Sequence, residues 1–532
     1  MTIYAYMPDI ITIGTNTFPN QANATLYVPA FLYNNYYYDT NWGKFLNVLP
    51  CDLQPGDYAA FYTNGDIIFG EGEQRITQDT PIAEIGAQGG IIVQGEAQQF
   101  DTVDQTIGDM NSTTSTGASL IGDGTTAQEN NLPMNELRVK MTVQAKKWYF
   151  FCFPFDVTIE QCEYPGRYVW RYYDGAIRAA NGSGGWQPVT GETLTARQGY
   201  AFQSETAGTL VVKFNHPTFG GDRVKELVAH ATSNAANASW NFIGNPYSSY
   251  YDFRSEDITS PITIWNGSSY VAYRPGDDEC HLKPYQAFFV QKPTASVQVT
   301  FNVQRRETYR QSEATKAARQ AKRKEQGIDP KRRLINLEIM SDTVMLDRTR
   351  VVLNPKAASA YELGCDAAKF LSDDSKAQIY SVENGIQMAI NERPLAGDIR
   401  LGYTAKKAGR LSISAPRMDI PMVLVDTKLN TTFDLTLGTY DFDTSAGTFN
   451  DRFLLRQGGD ATAINNLTAK TSVCFGTQDG GIAIGGAEGK TVNVYTTGGA
   501  LAAQHSGNGF IALKSGIYVV SVDGVSAKVR VR

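Results

Sequence analysis

Apolar and polar residues alternate with a period of two through much of this chain, and the alternation stops at glycines. Lys528-Val529-Arg530-Val531-Arg532 alternates strictly, and Gly516-Ile517-Tyr518-Val519-Val520-Ser521-Val522 starts from a glycine. Val492-Asn493-Val494-Tyr495 meets a Gly498-Gly499 turn. Alternation punctuated in this way predicts short antiparallel strands. Further strands are expected at Leu334-Ile335-Asn336-Leu337-Glu338-Ile339, Thr349-Arg350-Val351-Val352-Leu353 and Arg452-Phe453-Leu454-Leu455-Arg456. The expected fold is all-β, with several β-sandwich domains in tandem, a short charged helix or linker, and a C-terminal β-sandwich.

Between 139 and 304 the pattern repeats itself. Trp148-x-Phe150-x-x-x-Pro154-Phe155 recurs as Trp240-x-Phe242-x-x-x-Pro246-Tyr247, and Leu194-x-x-x-Gln198-Gly199-Tyr200-x-Phe202-Gln203 recurs as Leu282-x-x-x-Gln286-Ala287-Phe288-x-Val290-Gln291. Between them, Val169-Trp170 is matched to Ile264-Trp265. Three matches in one order predict a duplication, 148–203 and 240–291, whose halves supply equivalent strands to one sandwich or to two similar ones.

The pattern fails at 305–333, RRETYRQSEATKAARQAKRKEQGIDPKRR, where strong helix formers carry no apolar periodicity. A solvated linker or helix is expected there, ended by Gly327 and Pro330 and open to trypsin. The divisions expected are therefore 1–52, 53–138 as a small β domain, 139–304, 305–333, 334–457 as a second sandwich, and 458–532.

Composition agrees with this layout. A chain of 532 residues exceeds a single core and suits roughly three to five domains. Charged residues are only 19%, and 49 Gly, 28 Tyr and 25 Phe fit aromatic strands joined by turns. The net charge of −6, from 48 basic and 54 acidic residues, gives no ground for nucleic-acid binding. No apolar run is long enough to cross a bilayer as a helix. The six cysteines lack CxxC spacing, so zinc and haem have no support; buried free thiols are expected, with Cys152–Cys162 the one pair that oxidation would join.

The alternating C-terminal segment resembles the C-terminal sorting domain of proteins exported by the type IX secretion pathway of Bacteroidetes. Val494, Tyr495, Gly498, Gly516, Tyr518, Val520 and Lys528 stand where that pattern has its motif residues. Residues 24–51, with Leu26-Tyr27-Val28-Pro29 followed by aromatics and Trp42-Gly43-Lys44-Phe45, resemble the closing unit of a Bacteroidetes-type leucine-rich repeat. One unit cannot bury its own face, so this resemblance implies neighbouring repeats before Met1. The N-terminus has no basic segment or apolar core of a signal peptide, so for an exported protein Met1 is expected to lie inside a longer natural protein or to be an engineered or miscalled start. Together they imply a non-enzymatic surface protein: the stalk and sorting region of an adhesin-like repeat protein, partnered by export machinery and by a host protein or glycan.

The chemical alternatives are weaker. His216, His230, His281 and His505 lie apart, and no G-x-S-x-G elbow accompanies any of them. Gly485-Gly486-Ala487-Glu488-Gly489-Lys490-Thr491 lacks the first glycine of a P-loop and precedes a strand, so a hairpin turn is expected. No catalytic, metal or cofactor residue is assigned, and no cofactor is expected. The rival reading is an extracellular polysaccharide-binding module or glycoside-active enzyme. Its candidate glycan contacts are Tyr250 and Tyr251, beside the carboxylates of Asp277 and Asp278. The run Tyr33–Tyr38 is a further stacking candidate, against the commoner reading as packing.

Overall fold

In a computed structural model, strands account for 54% of the chain and helices for 8%, an all-β fold of many sheets. The structure describes all residues except 1, 6–9, 11, 16, 30–31, 52–58, 64–65, 77–81, 95–99, 113–116, 124–131, 279, 294–296, 310–331, 395–396, 459–473, 479, 523–524 and 532. The chain divides into two compact units, one of residues 1–267 and 273–326, the other of residues 268–272 and 327–532.

The first unit opens with three parallel strands, Thr2–Tyr4, Thr25–Pro29 and Asn47–Cys51. Thr2 pairs with Thr25 and Thr25 with Asn47, so the chain returns to the same register after 25 − 2 = 23 and then 47 − 25 = 22 residues. A parallel return needs a crossover, supplied here by the helix Tyr33–Tyr38 and the 3-10 turns Gln21–Asn23 and Trp42–Lys44. Period-two geometry turns Ile3, Leu26, Val28 and Val48 inward onto Tyr36, Trp42 and Phe45. The three strands thus stand in register over one shared core.

A mixed eight-stranded sheet follows, in the order Cys162–Glu163, Gly208–Asn215, Met134–Val143, Phe100–Gly108, Ile82–Gln94, Asp66–Ile76 and Ala59–Thr63, with Ser119–Asp123 pairing Ile82–Gln94. The division expected at 138/139 therefore falls inside a strand. Met134–Val143 pairs in parallel with Phe100–Gly108 on one side and antiparallel with Gly208–Asn215 on the other. Its buried Leu137, Val139, Met141 and Val143 join one core with Ile85, Val103, Phe151 and Phe202. The strands of 53–138 and the first repeat thus share a core.

The two repeats have the same strand pairing. Trp148–Cys152 runs antiparallel to Gly199–Ser204 with Trp148 opposite Gln203 and Cys152 opposite Gly199; Trp240–Gly244 runs antiparallel to Ala287–Gln291 with Trp240 opposite Gln291 and Gly244 opposite Ala287. A smaller pair is also shared, Val157 opposite Leu194 in one copy and Tyr251 opposite Leu282 in the other. Three residues past those leucines, Arg197 and Tyr285 both take positive φ, 60° and 59°. The third strand corrects the sequence match. Trp170 lies opposite Phe202, whose counterpart Val290 faces Ile262, so Ile262 is the equivalent of Trp170 and Trp265 that of Tyr173.

The copies pack face to face through aromatic rings. Phe150 meets its own equivalent Phe242 at 5.1 Å between centroids, and Phe242 stacks on Phe289 at 4.3 Å. Trp186 closes on both, at 5.3 and 5.7 Å. Cys152 and its equivalent Gly244 also touch: a Cβ on Gly244 would stand 2.5 Å from that of Cys152. Contact between equivalent positions is the mark of an isologous, two-fold-like interface.

The stretch 305–333 is structured at both ends. Arg306–Glu307 forms a strand on Tyr250–Phe253, Thr308 is buried, and Arg333 begins the strand Arg333–Ser341. Of the expected linker, 310–331 lies outside the described residues.

In the second unit, 333–457 builds an eleven-stranded sheet wrapped around one core of Ile335, Leu337, Val351, Ile379, Leu401, Tyr403, Phe442 and Phe453 with their neighbours. Beyond it, 474–531 forms two sheets. One holds Cys474–Gln478, Gly481–Gly485 and Gly509–Ala512, and the other Leu501–Ser506, Thr491–Thr496, Gly516–Val522 and Val525–Val531.

Candidate functional site

The C-terminal sandwich gathers the expected sorting-motif residues onto adjacent strands. Val494 lies directly opposite Val520, and both are fully buried. With Ile482, Ile484, Val492, Val522, Val529 and Val531 they make the core between the two sheets. Tyr495 and Tyr518 are half-buried, opposite Val519 and Thr496. The Tyr518 hydroxyl donates to Lys514 O at 2.9 Å, which ties the strand to the loop before it. Gly498 and Gly499 close the hairpin, Gly499 at φ 84° with its N–H on Thr496 O.

Lys528 takes its place in the last strand, opposite Val519. Val529 and Val531 face inward, as strict alternation requires; the side chains of Lys528 and Arg530, and all of Arg532, lie outside the described residues. The last strand is the edge of its sheet, paired only to Gly516–Val522 among the described residues. Leu501–Ser506 is the opposite edge of that sheet, and an edge strand carries backbone groups able to pair with another chain.

The glycan candidates occupy other environments. Tyr250 and Tyr251 are both buried, and neither ring offers a face to a sugar. Tyr250 packs on Tyr309, while the Tyr251 hydroxyl donates to Asp257 and accepts from Asn302 N–H. The Tyr251 ring packs on Tyr247, Phe253 and Phe301, and the strand Arg306–Glu307 pairs alongside, 306 − 251 = 55 residues on in the sequence. Asp277 and Asp278 close a tight turn at Gly276, φ 93°, with the Asp278 carboxylate accepting Arg274 N–H at 2.8 Å. Of the Tyr33–Tyr38 run, Tyr36 is core and Tyr38 is exposed.

His281 sits opposite Asp252 on the same small sheet, with Nδ1 against the Glu307 carboxylate and Nε2 buried with no hydrogen-bond partner among the described residues. Among the described residues no group of His, Cys, Asp and Glu is placed to hold a metal. Cys280 is buried, and Cys152 and Cys162 are buried free thiols pushed up to about 12 by burial. Such thiols are poor nucleophiles. Among the described residues no helix is long and apolar enough to cross a membrane.

The charged groups that sequence reading passed over lie inside the second unit. Asp426 and Arg452 form a buried pair, Asp347 and Lys369 another, and Asp366 is buried with its carboxylate accepting the N–H groups of Glu362 and Glu392. Their one sequence signal is a charge inside an apolar strand, as in Met345-Leu346-Asp347 and Val423-Leu424-Val425-Asp426. Burial, reinforced by the nearby Glu392 and Glu362 carboxylates, pushes Asp366 from 3.8 up to about 7.

A carboxyl raised in the folded state takes up a proton on folding, so its contribution to stability is lost as pH rises from about 4 to about 7. The urea midpoint of the second unit is expected to fall between about pH 5 and pH 8, and the Asp366→Asn variant to show a flatter slope. Equal slopes in the two proteins would remove Asp366 as the cause.

A family model described as "Domain of unknown function (DUF8693)" matches residues 250–457, less than half of the chain. No curated protein matches the sequence.

Proposed function

We propose that this chain is the stalk and sorting region of a non-enzymatic exported surface protein of the leucine-rich-repeat adhesin type. The observation that carries the reading is the C-terminal sandwich. Its motif valines Val494 and Val520 belong to a core of its own, and its last strand pairs only to Gly516–Val522 among the described residues. A small domain with a separate core can fold without its neighbours and present one surface to export machinery. The parallel coil at 23- and 22-residue steps supports the repeat-protein part, since 20 to 29 residues per turn is the spacing of leucine-rich repeats. The tandem sheets between these ends suit a spacer. The polysaccharide reading draws no support from Tyr250 and Tyr251, which are core.

Deleting 458–532 from the full-length gene in its native host tests the address-label role. The expected result is a folded protein retained in the cell envelope, and the deleted segment fused to a soluble reporter carries that reporter to the surface. Normal surface display of the deletion variant would leave the segment as a terminal β domain with no part in sorting.

A further inference from the structure

We propose that Lys369 and Asp347, in the second unit, condense into an intramolecular amide. The Lys369 amine lies 2.7 Å from one oxygen of the Asp347 carboxyl and 2.6 Å from the other, and both side chains are wholly excluded from solvent, 0% and 0% exposed. Lysine is almost never so fully buried, and a dry ion pair recovers its desolvation cost poorly. Nothing else competes strongly for the amine: its further contact is Arg348 O at 3.3 Å.

The surroundings favour the reaction in three ways. Asp347 stands on the strand Val344–Leu353, and Lys369 follows the bridge Ala367–Ala368, where its own N–H is fixed on Gln387 O. Both groups are thus held by backbone, which replaces a bimolecular encounter with a fixed one. Ile379 N–H points at one carboxyl oxygen from 2.9 Å, where it stabilises the charge that develops on that oxygen during addition. Burial raises the Asp347 carboxyl and lowers the Lys369 ammonium, both toward the neutral acid and neutral amine that react.

The step balances without a co-reactant. A proton passes from the ammonium to the carboxylate within the pair. The Nζ lone pair adds to Cγ of Asp347, forming the C–N bond. The remaining surplus proton on nitrogen moves to the departing oxygen, the C–O bond breaks, and one water leaves. The product ties the 354–376 segment covalently to the Val344–Leu353 strand and so constrains the unfolded chain as a disulfide would.

Intact mass under denaturing conditions decides the matter. The purified full chain is expected to be lighter than its sequence by one water. A tryptic digest is expected to contain a branched peptide joining 334–348 to 357–376, uncut after Lys369. The Lys369→Met and Asp347→Ala variants, whose masses are read whether or not they fold, should return to the sequence value. A wild-type chain at its sequence mass and cut after Lys369 would overturn the proposal and leave an ion pair. A water loss mapped to any other residues would overturn it as well. The export reading is unaffected by either result.

Discussion

Replacing Arg452 by methionine is expected to destabilise the second unit by about 3–5 kcal/mol, because it strands a buried carboxylate. Arg452 binds Asp426 through Nη2 at 2.8 Å and through Nε at 3.2 Å, with side chains 7% and 1% exposed. It also donates to Asp443 O at 2.8 Å and lies over the rings of Phe442 and Phe453, at 4.8 and 4.9 Å. In the variant the Tyr440 hydroxyl and the N–H groups of Lys428 and Leu429 still reach Asp426, but no cation does. Urea unfolding measures the loss as a drop in midpoint at unchanged slope. Replacing both partners, Arg452→Met with Asp426→Leu, should recover much of it, since two apolar groups leave no charge behind. A single variant within about 1 kcal/mol of wild type would mean that water reaches Asp426.

Truncating Phe242 to alanine is the second large effect, about 3–5 kcal/mol, through the cavity left between the two repeats. Phe242 touches Phe150, Trp186 and Phe289 at centroid distances of 5.1, 5.3 and 4.3 Å and is 4% exposed. Phe150→Ala empties the same layer from the other side. Because the two rings share a contact, the double variant should cost clearly less than the sum of the single ones. Strict additivity would argue against a common layer. The loss should appear in tryptophan fluorescence, through Trp186 and Trp265, before the second unit unfolds.

The strand periods and the duplication were legible in the sequence because both are local. A W-x-F strand shows its period within three residues, and its Q-x-[YF]-x-x-Q partner recurs at a fixed distance from a leucine. Matching Val169-Trp170 to Ile264-Trp265 is off by 265 − 262 = 3 residues, because it aligns tryptophan with tryptophan although the ladder equates Trp170 with Ile262. Only the pairing partner fixes register, and that lies 30 residues away. Distance in sequence also explains the other differences. Parallel pairing across the 138/139 division leaves no local trace, since its partner strands meet only in the folded sheet. Tyr250 and Tyr251 read as candidate platforms, yet their rings pack on Tyr309 and Phe301, which lie about 50 residues or more away in sequence. The three parallel N-terminal strands are not legible as a set because they share spacing rather than residues: Ile3, Leu26 and Val48 lie side by side, yet their flanks differ.

The touching pair Cys152 and Gly244 bears on how the two repeats diverged. In a dimer of identical chains, whatever stands on the symmetry axis faces a copy of itself. Two cysteines there would collide, since even a lone Cβ on Gly244 falls 2.5 Å from Cys152 Cβ and 2.4 Å from Gln286 O. Two glycines would leave a hole. Joining both copies in one polypeptide lifts that restriction, and each side of the axis becomes free to evolve as the complement of the other. Two-fold-related sites of this kind are where a fused pair gains most over a symmetric dimer, and where reverting one copy to the sequence of the other should be tolerated least.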